Sequence, residues 1–175
     1  PWKNRDPRFY KTIMFDGVKW KSTGGAGGTA ELFTGGRESE EANEKKGCFT
    51  AYMNSKLCPQ LMNTVDGYKE NNIMILSLMR LADVYLMYAE ATAVGYNGPK
   101  GKAATYSLTA EEALNKIRER AGVAPVLDKF LGSTADFLSE LRRERAVELS
   151  FEGFRFIDLR RWMLLTQYPY TLKTK

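Results

Sequence analysis

Histidine is absent from all 175 residues. That absence removes the commonest metal ligand and the commonest general base near neutral pH, and it leaves no way to assemble a serine triad. No Gly-x-Ser-x-Gly elbow is present, and the glycines of residues 24–28 are not followed by the Gly-Lys-Ser/Thr ending of a phosphate loop. Cysteine is scarce as well. Cys48 and Cys58 are the only two, and their spacing is not that of a zinc or thiol-exchange pair. An oxidising compartment would permit a bridge, while the spacing leaves bridged and free thiols both open. Long apolar runs are also missing. The longest, around residues 73–79, is broken by Ser77 and stopped by Arg80, well short of the roughly 20 residues of a membrane helix. Together these absences predict no catalytic residues, no metal site and no cofactor.

What is present is the composition of a chain that folds. Hydrophobic residues make up 43% and charged residues 27%, far from the signature of disorder. The length suits one domain with a real core. The net charge of +5 permits an anionic partner. Much of the excess lies at Lys3, Arg5, Arg8, Lys11, Lys19, Lys21, Lys173 and Lys175. No basic stripe interleaved with aromatics accompanies it, so the charge reads as solvated surface, with no nucleic-acid partner. The chain opens on Pro1 without a leader pattern and closes on polar residues beyond a helical stretch, so it reads as a portion of something longer.

Three regions follow from the punctuation. Residues 1–20 read as a β-hairpin, because β-prone runs at 11–15 and 18–20 flank Asp16-Gly17, a dipeptide that tolerates the positive φ of a tight turn. Residues 21–72 are loop-rich, with glycines at 24–28 and 35–36 and a charged string at 37–46. Residues 73–165 read as a helical scaffold. Leu78, Leu81, Ala82, Tyr85, Ala89 and Thr92 recur at three- and four-residue steps and predict a helix from Ile73 to about Val94. Thr109 with Glu112 predicts a capping box for a second helix that turns Ala113, Leu114, Ile117 and Ala121 inward and is closed by Gly122. The two resemble a tetratricopeptide-type helix pair. A third helix is expected from Ser133 through Phe137, Leu138, Leu141 and Leu149 to Phe151, and a fourth from Phe154 to about Leu165. Tyr85, Tyr88 and Trp162 keep register with apolar neighbours and are assigned to the core. The fold class is mainly α, with a small β-hairpin and long loops.

The last two helical stretches carry charge where a core is expected. Arg145, Glu148 and Glu152 stack at helical spacing below Leu138 and Leu141, and Arg155, Asp158 and Trp162 continue the stripe. An unpaired ion in an apolar face costs several kcal/mol, so such residues mark a network. Glu148, Glu152 and Asp158 could be read as supplying the carboxylate pair of a glycoside hydrolase. The reading favoured is structural: Arg118, Arg120, Arg145, Arg155 and Arg160 neutralise them and lock the helices together, whereas a general acid needs a raised pKa.

Residues 81–91 (LADVYLMYAEA), 113–122 (ALNKIRERAG) and 144–162 (ERAVELSFEGFRFIDLRRW) resemble successive C-terminal motifs of the SusD/RagB family, in the family's order and spacing. Asp6-Pro7-Arg8-Phe9, with Asp16-Gly17 and Trp20, resembles a motif from further upstream. The resemblance implies a SusD-like helical domain and a surface lipoprotein of the outer membrane that captures oligosaccharide and sits on a SusC-like TonB-dependent porin. It also implies a lipid anchor that these residues do not contain. The chemistry implied is binding, without turnover. A sugar presents an apolar C–H face, so its receptor needs exposed rings. The candidates outside helical cores are Trp2, Tyr10, Trp20, Tyr52, Tyr68 and Tyr96, with Trp20, Tyr10, Tyr52 and Tyr68 preferred and Trp20 first among them. The alternative is a helical interaction scaffold that docks the porin with no sugar site of its own.

Overall fold

Asp6-Pro7-Arg8-Phe9 starts the first helical turn, because the Asp6 side chain accepts from the Arg8 amide at 2.9 Å while its carbonyl accepts from the Phe9 amide at 2.8 Å. The computed structural model describes residues 2–21, 27–39, 47–57 and 77–171. The chain divides into two units, Pro1–Leu78 and Met79–Lys175. Each is treated by itself.

In the first unit, the short helix α1 (Phe9–Thr12) leads directly into strand β1 (Ile13–Phe15). Strand β2 is Lys19–Lys21, β3 is Gly27–Thr29 and β4 is Tyr52–Asn54. A turn forms at Asp16-Gly17, with Gly17 at φ 82° and the Val18 amide donating to the Phe15 carbonyl at 3.2 Å. The strands on either side of it do not pair with each other. Strand β1 runs antiparallel to β4, with Met14 opposite Met53, and β2 runs antiparallel to β3, with Trp20 opposite Gly28.

The expected hairpin within residues 1–20 is therefore replaced by two ribbons. The reason lies downstream. The Gly17 amide donates to Ala30 O at 2.9 Å, Ala30 N donates to Val18 O at 2.8 Å, and Asp16 Oδ1 accepts from Leu32 N at 2.9 Å. Met14, Ala30 and Leu32 bury together as the small core of this unit, so residues 30–32 take the bonds a hairpin would have used.

The second unit is helical. Its elements are α2 (Leu81–Gly95), α3 (Ala110–Ala121), a 3-10 turn (Asp128–Phe130), α4 (Thr134–Glu148) and α5 (Phe154–Arg161). Helix α2 packs on both α3 and α4. Ala82, Leu86, Ala89 and Ala93 of α2 meet Ala113, Leu114 and Ile117 of α3 and Phe137 and Leu141 of α4 in one buried cluster. Small alanines on facing stripes let the helix axes approach closely, and burial of the larger side chains contributes about 1.5–3 kcal/mol each.

The capping box at the start of α3 is formed. Thr109 Oγ1 accepts from Glu112 N at 3.2 Å, and Glu112 Oε2 accepts from Thr109 N at 2.7 Å. Gly122 closes the helix at φ 69°. Three boundaries differ from expectation. Helix α2 begins at Leu81 and not near Ile73, where residues 73–76 lie outside the described residues. Leu78 is 95% exposed and Arg80 has extended backbone at φ −134°, ψ 160°, so residues 78–80 do not continue the stripe. Helix α4 stops at Glu148 short of Phe151, and α5 stops at Arg161 short of Leu165. Tyr85 and Tyr88 pack partly buried against the core, and Trp162 is buried.

Candidate functional site

The β1–β4 register sets Phe15 opposite Tyr52, and the turn of α1 brings Phe9 and Tyr10 to the same place. Trp2 completes the group. Its ring stacks on Phe15 with centroids 5.3 Å apart and meets Tyr52 edge-on at 4.9 Å. Phe9 stacks on Phe15 at 5.4 Å, and Tyr10 meets both Phe9 and Phe15 edge-on, at 5.5 and 6.1 Å. Five rings from three separate segments thus form one cluster, its offset-stacked and edge-on pairs each worth about 0.5–1.5 kcal/mol beyond their buried area.

The rim of that cluster is open. Tyr10 is 43% exposed and Tyr52 41%. The Tyr10 hydroxyl donates to Trp2 O at 2.7 Å and accepts from Arg5 N at 3.3 Å, which fixes the ring. The Arg5 guanidinium carbon lies 5.7 Å from the Phe9 ring centroid. Cys48 Sγ donates to Tyr52 O at 3.0 Å, whereas Cys58 lies outside the described residues.

Of the preferred ring residues, Tyr10 and Tyr52 come together, with Trp2 between them. Trp20 contributes backbone to β2, but its side chain lies outside the described residues. Tyr68 lies outside them entirely. Tyr96 is exposed just past α2 in the second unit.

The second unit holds the ions. Arg145 on α4, its side chain only 5% exposed, donates through Nη1 to Asp83 of α2 at 2.5 Å and through Nε to Asp158 of α5 at 2.7 Å. Arg161 donates to Asp158 at 2.9 Å and to Glu90 at 2.6 Å, and the Trp162 indole N–H donates to the same Glu90 at 2.7 Å. Glu148 accepts from Arg80 at 2.5 Å and from Arg120 at 2.6 Å, and Glu152 accepts from Arg80 at 2.7 Å. Arg118 donates to Glu140 at 2.9 Å and Glu144 at 2.8 Å. Each of Glu148, Glu152 and Asp158 therefore has a guanidinium at hydrogen-bond distance.

The partners are partly different from those expected. Arg155 and Arg160 stand outside this network, their guanidinium carbons 5.7 Å and 5.8 Å from the ring centroids of Tyr170 and Phe156. Arg80 and Arg161 take the places assigned to them. Sequence reasoning also missed Asp83, Glu90, Glu140 and Glu144. A signal was available: Asp83, Leu86 and Glu90 fall on one stripe of α2, and Glu140, Glu144 and Glu148 on one stripe of α4. Charge on an inward stripe points to a partner.

Burial pushes the Glu90 carboxyl up, but hydrogen bonds from Arg161 and Trp162 outweigh it and hold the carboxyl below its ordinary range. Glu140 is likewise held low, burial being outweighed by Arg143 and Arg118. Arg80 is raised above its ordinary value because its bonds to Glu152 and Glu148 exceed the opposing effect of burial. Glu90 and Glu140 are thus stabilised as anions, the reverse of what a general acid requires. Among the described residues no cluster of three or more acidic or cysteine side chains could hold a metal ion, and no helix is long and apolar enough to cross a membrane.

The sequence matches the model of the SusD family over residues 1–175. Among solved structures, a SusD-like protein from Bacteroides fragilis NCTC 9343 is 25% identical with a TM-score of 0.68, covering 94% of this chain and 29% of its own. A SusD superfamily protein from Bacteroides vulgatus ATCC 8482 is 25% identical with a TM-score of 0.51, covering 93% of this chain and 30% of its own. The chain thus spans less than a third of the length of either structure. No curated protein matches it.

Proposed function

Because this chain belongs to the SusD family, we propose that it is part of a glycan-binding protein serving polysaccharide uptake, with a sugar-contacting surface on its first unit. The observation that carries this reading is the cluster of Trp2, Phe9, Tyr10, Phe15 and Tyr52, with Tyr10 and Tyr52 half open at its rim. Rings held rigid by their neighbours offer apolar contact to a pyranose C–H face at little entropic cost. Trp20 and Tyr68 are proposed as further contacts. The whole protein is proposed to be a lipid-anchored component of the outer membrane surface that hands oligosaccharide to a SusC-like TonB-dependent porin. Its chemistry is binding, since guanidinium groups engage the carboxylates of the helical unit.

The test is affinity electrophoresis of the full chain in gels carrying single polysaccharides. Retardation by at least one of them, reduced about tenfold by Tyr52→Ala and left unchanged by Tyr96→Ala, supports the reading. Retardation that survives the Tyr10→Ala/Tyr52→Ala double variant overturns the ring surface. Release of reducing sugar that Glu148→Gln abolishes would restore a hydrolase.

A second reading is favoured by the exposed apolar side chains Leu81, Val84 and Met87 of α2. In it the helical unit docks the porin and sugar is held elsewhere. Binding of this chain to the porin, with no retardation by any glycan, would select it.

A further inference from the structure

We infer that the ring surface of the first unit takes an anionic glycan, one bearing carboxylate or sulfate groups, with Lys3, Arg5 and Lys11 meeting the anions. The inference rests on the glycan-binding reading above and names the ligand class for that same surface.

The charge around the rings is one-sided. The segments that supply them carry Lys3, Arg5, Arg8 and Lys11, and Lys56 follows β4, against the single acid Asp6. Asp6 is already bound by Arg8, with Nη2 to Oδ2 at 2.7 Å and Nε to Oδ1 at 3.0 Å. The next carboxylate along the chain, Asp16, accepts the Leu32 amide at 2.9 Å.

Arg5 lies over one of the rings. The Arg5 guanidinium carbon lies 5.7 Å from the Phe9 ring centroid, and the Arg5 amide donates to the Tyr10 hydroxyl at 3.3 Å. Lys3 adjoins Trp2 and Lys11 adjoins Tyr10, and both lysines are exposed. Among the described residues neither forms an ion pair.

The phenol adds a second argument. The Tyr10 hydroxyl is engaged as donor and as acceptor inside the protein, so its ring supplies apolar contact and little polar recognition. The Asn54 carboxamide oxygen accepts from the Lys56 amide at 2.9 Å. The exposed Lys3 and Lys11 add cationic groups beside these rings in the chain, and an ammonium matches a carboxylate or sulfate better than it matches a hydroxyl. Along the linear sequence these charges read as scattered surface. Only the β1–β4 pairing brings Tyr52 to the rings that these charged segments supply.

Single-stranded nucleic acid also combines cations with rings, and family membership favours the glycan. Retention of the full chain is measured at about 150 mM salt in gels carrying polygalacturonate, chondroitin sulfate, or neutral starch or xyloglucan, with oligo-dT as competitor. The expected result is retention by one of the two anionic polymers, which separates carboxylate from sulfate. Lys3→Gln/Lys11→Gln should weaken it about tenfold. Lys102→Gln/Lys116→Gln, which removes the same charge from the other unit, should leave it unchanged.

Retention by neutral polymers alone, unaffected by Lys3→Gln/Lys11→Gln, overturns this inference and leaves the Tyr10 and Tyr52 surface standing. Equal losses in the two double variants assign the effect to overall charge and overturn it too. So does oligo-dT that displaces the glycan at equal or lower concentration. Absence of retention by any glycan removes the glycan-binding reading itself. All four lysines are exposed, and thermal melts of the variants should coincide with wild type.

Discussion

Arg145 and Asp83 form a buried ion pair at 2.5 Å although 62 positions separate them in the chain. The same guanidinium also holds Asp158 at 2.7 Å, so one side chain of α4 joins α2 to α5. Arg145→Ala would leave Asp83 buried without its guanidinium and would leave Asp158 with Arg161. It is expected to destabilise the helical unit by about 3–5 kcal/mol. Urea denaturation followed by circular dichroism measures this, with exposed Lys116→Ala changing stability by less than about 0.5 kcal/mol.

Glu148→Gln tests whether that carboxylate is structural. Arg120 loses its carboxylate while Arg80 retains Glu152, so the expected outcome is a loss of about 2 kcal/mol in unfolding free energy. Sugar binding by the first unit should persist under conditions where the variant remains folded. A stable Glu148→Gln protein with melting unchanged would count against the network.

Acid stability follows from Glu90 and Glu140. Both are held below the ordinary carboxylate range in the folded protein. A depressed folded pKa contributes stability that is fully present above the unfolded value, about 4.3, and is lost as pH falls through the folded value. Melting temperature should therefore decline as pH drops below about 4. The Glu90→Gln/Glu140→Gln variant starts from a lower melting temperature at pH 7 and should decline less steeply, because neither glutamine takes up a proton.

Gly101 is required by space. A Cβ there would lie 2.7 Å from Tyr96 O and 2.9 Å from Thr92 O, where the chain folds back over the end of α2. Gly101→Ala should destabilise by about 2 kcal/mol through a forced backbone shift. Gly132 has nothing within 4 Å of the same position, and Gly132→Ala should be close to neutral in the same calorimetric scan.

Tyr10→Phe separates ring from hydroxyl. It removes the bonds to Trp2 O and from Arg5 N, at a cost of about 1 kcal/mol for this exposed site. Glycan retention should fall by no more than about twofold, because the apolar face survives. A loss as large as that of Tyr10→Ala would show that the hydroxyl itself contacts ligand.

The legible parts of this fold are the local ones. The box of Thr109 and Glu112 and the left-handed Gly122 are four- and one-residue signals, and each stands where the spacing puts it. The turn at Asp16-Gly17 is equally local, but the pairing of its flanking strands is decided by residues 30–32 and 52–54, which no nearby signal announces. Charge on the inward stripe of α4 is visible as four-residue spacing. Which arginine answers each carboxylate is not, since Arg80 lies 68 positions from Glu148 and sits beyond the end of any periodic pattern. Tyr10 and Tyr52 could be chosen as exposed rings, but their meeting depends on strand register.

Glu90 of α2 accepts from both Arg161 and Trp162 at the far end of α5. The last helix of the unit is thereby fastened to the first, and its C-terminal turn has little freedom to fray by itself. Amide hydrogens of α5 should exchange with solvent at rates close to those of α2, as members of a single cooperative opening event and not as a loose tail.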